Sequence, residues 1–232
     1  MTKITILGCC RQQPLCEDYE VTSIYGDIAF CHNTKEMLEI IKYCKYGHLP
    51  PEETVNVFAH PITRKIPLVY NEKYKTELED SEIFVIEISS KKNYKYDDKY
   101  YSHLSVYVHD PYLYISDEVR SKVVEEEQTY DEIYQDILEI KKQLNNKPIV
   151  IVTHLVTINS GTRYELCNML EDICKKESIP IINPIKEFTS RGYYNNLNEL
   201  IQDDGRHYKE PVRPIIKNIY NSYISSTLNK NI

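Results

Sequence analysis

The stretch Ile83–Ile88, with the sequence IFVIEI, is an almost unbroken apolar run that decides the fold class. A short run of this kind predicts a strand that is covered on both faces, as the strands of a parallel sheet are. Ile149–Val152 predicts a second buried strand. A first strand is predicted at Lys3–Leu7, where β-branched residues alternate with others before the chain breaks at Gly8.

Amphipathic helices are predicted between these strands. Asn33 and Glu36 form a helix start, because the Asn side chain can accept a hydrogen bond from a free backbone N–H and Glu36 can reach back. Apolar residues then follow at helical spacing up to the stop at Gly47. Tyr130–Leu144 carries its isoleucines on one face, as an amphipathic helix does. Further helices are predicted at Ser160–Lys176, Tyr194–Ile201 and Val212–Leu228, and a short strand at Ile179–Ile182.

The repeated alternation of strand and helix predicts an α/β fold with three layers, in which helices cover both faces of a doubly wound, mainly parallel sheet. The sequence contains no internal repeat and no low-complexity linker, so residues 1–232 are predicted to form one domain. A Tyr-rich insertion is predicted at about 91–115, with a short hairpin around Leu104–Ile115. This insertion is interpreted as a lid or as the surface of a homodimer.

Composition excludes several classes of protein. The 232 residues are 41% hydrophobic and 27% charged, which is typical of a globular chain that buries a core without disulfides or metal. A net charge of -7 argues against nucleic-acid binding. The apolar runs are too short to cross a bilayer, and the N-terminus predicts no secretory signal. Because the seven cysteines include no C-x-x-C pair, they are expected to be reduced thiols in a cytoplasmic protein.

The loop after the first strand has the sequence Gly8-Cys9-Cys10-Arg11. Ligands of parallel α/β sheets bind at the carboxyl ends of the strands, so this loop is a candidate site. A thiol there can act as a nucleophile when a neighbouring base or cation lowers its pKa. The alternative is that both cysteines are small buried side chains.

Near the other end of the chain, Asp204 precedes His207 by three residues, on a loop before the last predicted helix. An Asp at this spacing can bind one imidazole nitrogen and leave the other free to act as a base. The alternative is a solvated loop histidine.

Together the two motifs resemble those of the SGNH/GDSL hydrolase superfamily, which has G-D-S after its first strand and D-x-x-H near its end. The resemblance implies that Cys10 is the nucleophile, His207 the general base and Asp204 the orienting carboxylate. The chain departs from the pattern in having cysteine for serine and no G-x-N-D block. Donors that could stabilise an oxyanion are therefore sought among the backbone N–H of Cys10 and other side chains. Those side chains are Asn33, Thr153 and His154.

Three segments are also similar to cysteine-bearing, SGNH-like proteins of polysaccharide biosynthesis, the WcbI type. The segments are GCCR at 8–11, HNTKE at 32–36 and VIEISS at 85–90. This resemblance implies that the protein binds acetyl-CoA and transfers the acetyl group to a sugar or nucleotide-amino sugar. Giant-virus proteins that acetylate amino sugars of surface glycans are a further suggested relative, which would place the protein in the host cytoplasm.

Coenzyme A carries several phosphates, so an acidic protein needs a local cationic site to bind it. Arg11, Lys35 and Arg163 are the expected contacts, although each could instead be a solvated surface cation. His32 is expected either to line the acceptor pocket or to stand in a capping loop. No metal site is expected, because the adjacent Cys9 and Cys10 are poor chelators by themselves.

Three functions remain open from the sequence. The first is an acyltransferase with acetyl-CoA as donor and a sugar as acceptor. The second is a carbohydrate or lipid esterase of the same fold that uses cysteine in place of serine. The third is a binding module that has lost its chemistry.

Overall fold

The computed structural model describes residues 1–49, 54, 70–101, 115–156, 158–193, 200–202 and 207–230. The strands are β1 Lys3–Leu7, β2 Glu20–Val21, β3 Ile83–Ile88, β4 Lys92–Tyr96, β5 Lys99–Tyr101, β6 Val124–Glu127, β7 Ile149–Thr153 and β8 Ile181–Ile182. The α-helices are α1 Ser23–Asp27, α2 Thr34–Tyr46, α3 Lys73–Asp80, α4 Asp117–Ser121, α5 Tyr130–Gln143, α6 Thr162–Glu177, α7 Pro184–Ser190 and α8 Arg213–Asn229. Two 3-10 helices span Cys10–Glu17 and Glu210–Val212.

Five strands form the central sheet in the order β2-β1-β3-β7-β8, and every neighbouring pair is parallel. Leu7 is in register with Ile86, and Ile88 with Thr153. The carboxyl ends of β1, β3 and β7 therefore lie at one edge of the sheet. The predicted α/β fold with a mainly parallel sheet is confirmed.

The central strand β3 supplies side chains to a hydrophobic core on each face of the sheet. Phe84, Ile86 and Ile88 pack in the core that contains α2, α5 and α6. Ile83 and Val85 pack in the core that contains α8. All six residues of β3 are buried, which confirms that both of its faces are covered.

A second, antiparallel sheet has the order β5-β4-β6. Its β4 and β5 lie in the predicted Tyr-rich insertion and are joined at Asp97 and Asp98, which have positive φ values. The hairpin predicted around Leu104–Ile115 falls almost wholly on residues 102–114, outside the described residues. Within the described ranges, no helix is long and apolar enough to cross a membrane.

The start of α2 is confirmed, because the side-chain oxygen of Asn33 accepts the backbone N–H of Glu36 at 2.9 Å. Glu36 reaches back one residue further than expected and accepts the backbone N–H of His32 at 2.8 Å. Other predicted elements are shifted: α6 begins at Thr162, and β8 has only two residues. Most of the helix predicted at Tyr194–Ile201 lies outside the described residues. The sequence analysis missed the helices α1, α3, α4 and α7 and the strands β4, β5 and β6.

Candidate active site

The loop after β1 packs closely against the end of β3. A Cβ atom on Gly8 would lie 2.8 Å from the Cβ of Glu87 and 3.3 Å from its backbone nitrogen, so only glycine permits this approach. The Gly8 N–H donates to the carbonyl of Ala29 at 3.1 Å. From this anchored point the chain enters the 3-10 helix at Cys10.

The structure brings Cys10 and His207 together, although they are 197 residues apart. The sulfur of Cys10 lies 2.9 Å from Nε2 of His207. A short antiparallel pairing holds the His207 segment, since Ile201 bridges Tyr208 and the Gln202 N–H donates to the His207 carbonyl at 2.9 Å. Asp204 lies outside the described residues, and its orienting role stays a prediction.

The surroundings of Cys10 favour its thiolate. A hydrogen bond with the neighbouring Cys9, the contact with His207 and the positive charges of His207 and Arg11 together outweigh burial, and they lower the pKa of Cys10 to about 6. At pH 7, a group with this pKa is present as thiolate about ten times as often as thiol. The thiolate is the nucleophilic form of cysteine.

Glu87, which the sequence analysis did not single out, organises the loop from the end of β3. Its side chain is 1% exposed. One carboxylate oxygen accepts from the Cys9 thiol at 2.8 Å and from the Cys9 backbone N–H at 3.4 Å. The other accepts from Nε of Arg11 at 2.8 Å and also from its Nη2. The signal in the sequence was a lone carboxylate inside an apolar strand.

The buried pair of Glu87 and Arg11 contributes to the difference in pKa between the adjacent Cys9 and Cys10. Burial acts to raise the pKa of Glu87, but the charge of Arg11 and the hydrogen bonds from Cys9 and Arg11 outweigh it and hold that pKa below its usual value. Burial raises the pKa of Cys9 well above its usual value, so Cys9 stays a thiol. Arg11 is only 8% exposed and is bound to Glu87. Its expected contact with coenzyme A phosphates stays a prediction.

A cavity of about 380 Å³ opens beside the Cys10–His207 pair. Besides Cys10, Arg11 and His207, three further predicted site residues line it, namely His32, His154 and Arg163. Nδ1 of His32 lies 2.9 Å from the hydroxyl of Ser89, and its ring packs edge-on against Phe30. Arg163 is exposed at the first turn of α6.

His154 is neutral and cannot serve as an oxyanion donor. Its Nδ1 lies 2.8 Å from the carbonyl oxygen of Leu155, which accepts only, so the ring hydrogen is on Nδ1. Burial, with the positive charges of Arg11 and Arg163, lowers the pKa of His154 to about 4. Its Nε2 therefore carries a lone pair, which corrects the expectation of a donor there.

Three other predicted site residues do not line this cavity. Both hydrogens of the Asn33 amide are used, because Nδ2 donates to Glu36 and to the carbonyl of Lys92, each at 2.9 Å. Both hydrogens are thus bound within the fold, and a role for Asn33 at an oxyanion stays a prediction. Thr153 is buried and donates to the carbonyl of His154 at 3.3 Å.

Lys35 is also engaged elsewhere than expected. Its ammonium group donates to Asp136 at 2.9 Å and lies over the ring of Tyr100. This pairing joins α2 to α5, and the expected contact of Lys35 with coenzyme A phosphates stays a prediction. Among the described residues, no group of three or more His, Cys, Asp or Glu side chains could hold a metal ion.

No protein-family model and no curated protein matches the chain. Among solved structures it is similar to the lipase/acylhydrolase from Enterococcus faecalis, at 11% identity over 95% of this chain and 93% of that chain, with a TM-score of 0.42. It is similar to an α/β-hydrolase enzyme from the metagenome of Lake Arreo, Spain, at 8% identity over 96% and 94%, with a TM-score of 0.45. A third similarity is to a catalytic mutant of an acetylxylan esterase from Geobacillus stearothermophilus, at 12% identity over 96% and 94%, with a TM-score of 0.42.

These similarities concern the fold, and the evidence for the site is its own geometry. None of the three names the polysaccharide-biosynthesis acetyltransferases or a viral protein.

Proposed function

We propose that the chain is an acyltransferase in which Cys10 takes an acetyl group from acetyl-CoA and passes it to a hydroxyl or amine of a sugar or nucleotide-sugar. The observation that carries this proposal is the 2.9 Å contact between the Cys10 sulfur and Nε2 of His207 beside a cavity of about 380 Å³. A thiol and an imidazole in contact form the arrangement that covalent acyl transfer requires.

In the acylation step, the Cys10 sulfur attacks the thioester carbonyl, and His207 Nε2 holds the proton that the thiol has given up. When the tetrahedral intermediate collapses, the bond from carbonyl carbon to coenzyme A sulfur breaks. That sulfur leaves with the proton from His207. One thioester replaces another, so the step has little thermodynamic cost. The backbone N–H of Cys10 is the proposed donor to the oxyanion.

In the discharge step, the acceptor hydroxyl or amine attacks the acetyl carbon and gives its proton to His207. The bond between the acetyl carbon and the Cys10 sulfur then breaks, and the sulfur recovers a proton. Asp204 is proposed to hold the imidazole ring for both steps. The same residues would make an esterase if water were the acceptor.

The side chains around the large cavity support an anionic donor. Lys91, Lys92 and Arg163 line it, and within the part of the chain that the structure describes its lining includes no carboxylate. Lys91 pairs with Glu165, whose side chain is 55% exposed, so a bound phosphate would compete with a partner that solvent screens. Phe30 and Tyr94 add apolar surface for the uncharged arm of the donor.

The test is mass spectrometry after brief exposure to acetyl-CoA. Trypsin cleaves after Lys3 and Arg11, so Cys10 is recovered on the peptide Ile4–Arg11, apart from the exposed Cys16. Fragmentation separates Cys9 from Cys10. An acetyl group on Cys10 is expected in the wild type and in Cys16→Ser, and none on that peptide in Cys10→Ala.

Two results would count against the proposal. Acetylation of Cys16 in preference to Cys10 would show chemical reactivity without a site. Rapid hydrolysis of p-nitrophenyl acetate, with neither an adduct from acetyl-CoA nor thermal stabilisation by coenzyme A, would favour the esterase.

A further inference from the structure

A second, smaller cavity also reaches the reactive pair. Its volume is about 140 Å³, and Cys10, Arg11 and His207 line both it and the larger cavity. Beyond these shared residues its polar lining comes from the 3-10 helix after β1, from Gln202 and from the start of the last helical segment. The thiol and the imidazole are thus accessible from two separate spaces.

The lining of the smaller cavity differs in chemistry from that of the larger one. Gln13 and Gln202 offer amide groups that both donate and accept hydrogen bonds. Arg213 donates to Glu210 at 2.9 Å and to Gln13 at 3.3 Å, so a guanidinium and a carboxylate also lie side by side there. Mixed donors and acceptors with little net charge suit hydroxyl and amino groups better than a polyphosphate.

The volumes agree with this division. One buried water needs about 10–15 Å³ on a comparable scale, so the smaller cavity has room for about ten waters, or for one sugar ring. The nucleotide and the long arm of coenzyme A need the larger space, where the cations Lys91, Lys92 and Arg163 lie.

We propose that the smaller cavity is the acceptor subsite, which takes one sugar ring and presents its hydroxyl or amine to the acetylated Cys10. This inference rests on the proposed function and adds the place of the second substrate. The acceptor's O–H or N–H proton passes to His207 as the new C–O or C–N bond forms. The C–S bond to Cys10 then breaks as the tetrahedral intermediate collapses, which leaves the sulfur beside the protonated His207. The acetyl donor and the sugar acceptor therefore approach the Cys10 sulfur from different cavities.

The test adds bulk to one cavity at a time. Gln13→Trp fills the smaller cavity and Ser90→Trp the larger one, because each residue lines only that space. Glu17→Ala is the matched control, since Glu17 is exposed on the same 3-10 helix and lines neither cavity. For each protein, single-turnover mass spectrometry measures the rate of Cys10 acetylation by acetyl-CoA and the rate of discharge by D-glucosamine.

The ratio of the discharge rate to the acetylation rate is expected to fall about tenfold or more in Gln13→Trp and to rise by a similar factor in Ser90→Trp. In Glu17→Ala it is expected to match the wild type. Equal ratios in both Trp variants, or shifts in the opposite directions, would overturn the assignment of the cavities. D-glucosamine that discharges the wild-type enzyme no faster than water would overturn the sugar acceptor.

Failure of the proposed function gives a different result. If acetyl-CoA leaves Cys10 unmodified, phenyl thioacetate can load the thiol through the same exchange of thioesters without a coenzyme A site. The discharge rates of wild type, Gln13→Trp and Glu17→Ala then still report on the smaller cavity. Selective slowing in Gln13→Trp would support the subsite even though the donor had been wrongly assigned, and equal rates would refute it.

Discussion

Replacing Glu87 by Gln is expected to destabilise the protein strongly while leaving the shape of the side chain almost unchanged. The carboxylate accepts from four donors, namely Nε and Nη2 of Arg11 and the thiol and backbone N–H of Cys9. A glutamine offers one oxygen and one NH₂ group. In either orientation of the amide, its NH₂ group faces the donors of Arg11 or those of Cys9. The buried charge of Arg11 also loses its counter-ion.

The size of the loss follows from the burial of both partners. Arg11 is 8% and Glu87 1% exposed. Removing one member of a buried ion pair costs about 3–5 kcal/mol, a large part of the roughly 5–15 kcal/mol that stabilises a typical domain. For a chain of this size, the same loss lowers the melting temperature by roughly 6–20 °C.

Urea unfolding of the variant measures this loss directly. Glu82→Gln is the matched control, because Glu82 immediately precedes β3, is exposed, and accepts the backbone N–H of Lys3. It should lose less than about 1 kcal/mol. Adding Arg11→Met to Glu87→Gln should recover part of the stability, since no charge is then left buried alone. A Glu87→Gln protein as stable as Glu82→Gln, or a double variant weaker than the single one, would refute this reasoning.

Two further predictions concern titration. His207→Ala should raise the pKa of Cys10 above about 6, because contact with the imidazole and its positive charge are among the causes of the low value; an unshifted pH profile for alkylation of Cys10 by iodoacetamide would contradict this. In the variant His154→Gln, the free energy of unfolding should fall less than in the wild type as the pH is lowered. The folded-state pKa of His154 is about 4, below the unfolded value of about 6.5, so its stabilisation is present above about pH 6.5 and is lost as the pH falls to about 4. The loss is roughly 3 kcal/mol, and equal acid sensitivity of the two proteins in urea titrations would count against it.

Chain position and hydrophobic pattern were enough to predict the sheet. Ile83–Ile88 carries the signature of a strand covered on both faces, and the parallel order confirms it. The same logic selected the loop at Cys10, because it follows a strand of a parallel sheet. The helix α3 was missed because its sequence, KYKTELED, contributes only Tyr74 and Leu78 to the core. The four residues of β6 are all exposed, so it has no buried face to reveal it.

Partners distant in the chain explain most of what the sequence could not predict. Lys35 pairs with Asp136, which lies 101 residues further along the chain, and no local sequence pattern predicts that contact. Asn33 is a similar case. Its cap and its hydrogen bond to the Glu36 carboxylate are local, but its second amide hydrogen is bound by the carbonyl of Lys92, 59 residues away, so the local pattern alone left one hydrogen for an oxyanion.

The adjacent cysteines show why Glu87 matters to the chemistry as well as to the fold. Two neighbouring thiols would ordinarily ionise alike, yet burial and Glu87 raise the pKa of Cys9 while that of Cys10 falls to about 6. Cys9 is thereby kept protonated: its thiol lies 2.8 Å from a Glu87 oxygen and is also the hydrogen-bond partner of Cys10, while its carbonyl accepts from the hydroxyl of Tyr25 at 3.0 Å. Environments that separate the pKa values of neighbouring groups assign them different roles. In this loop, therefore, the Cys9 sulfur has a structural role and the Cys10 sulfur can react.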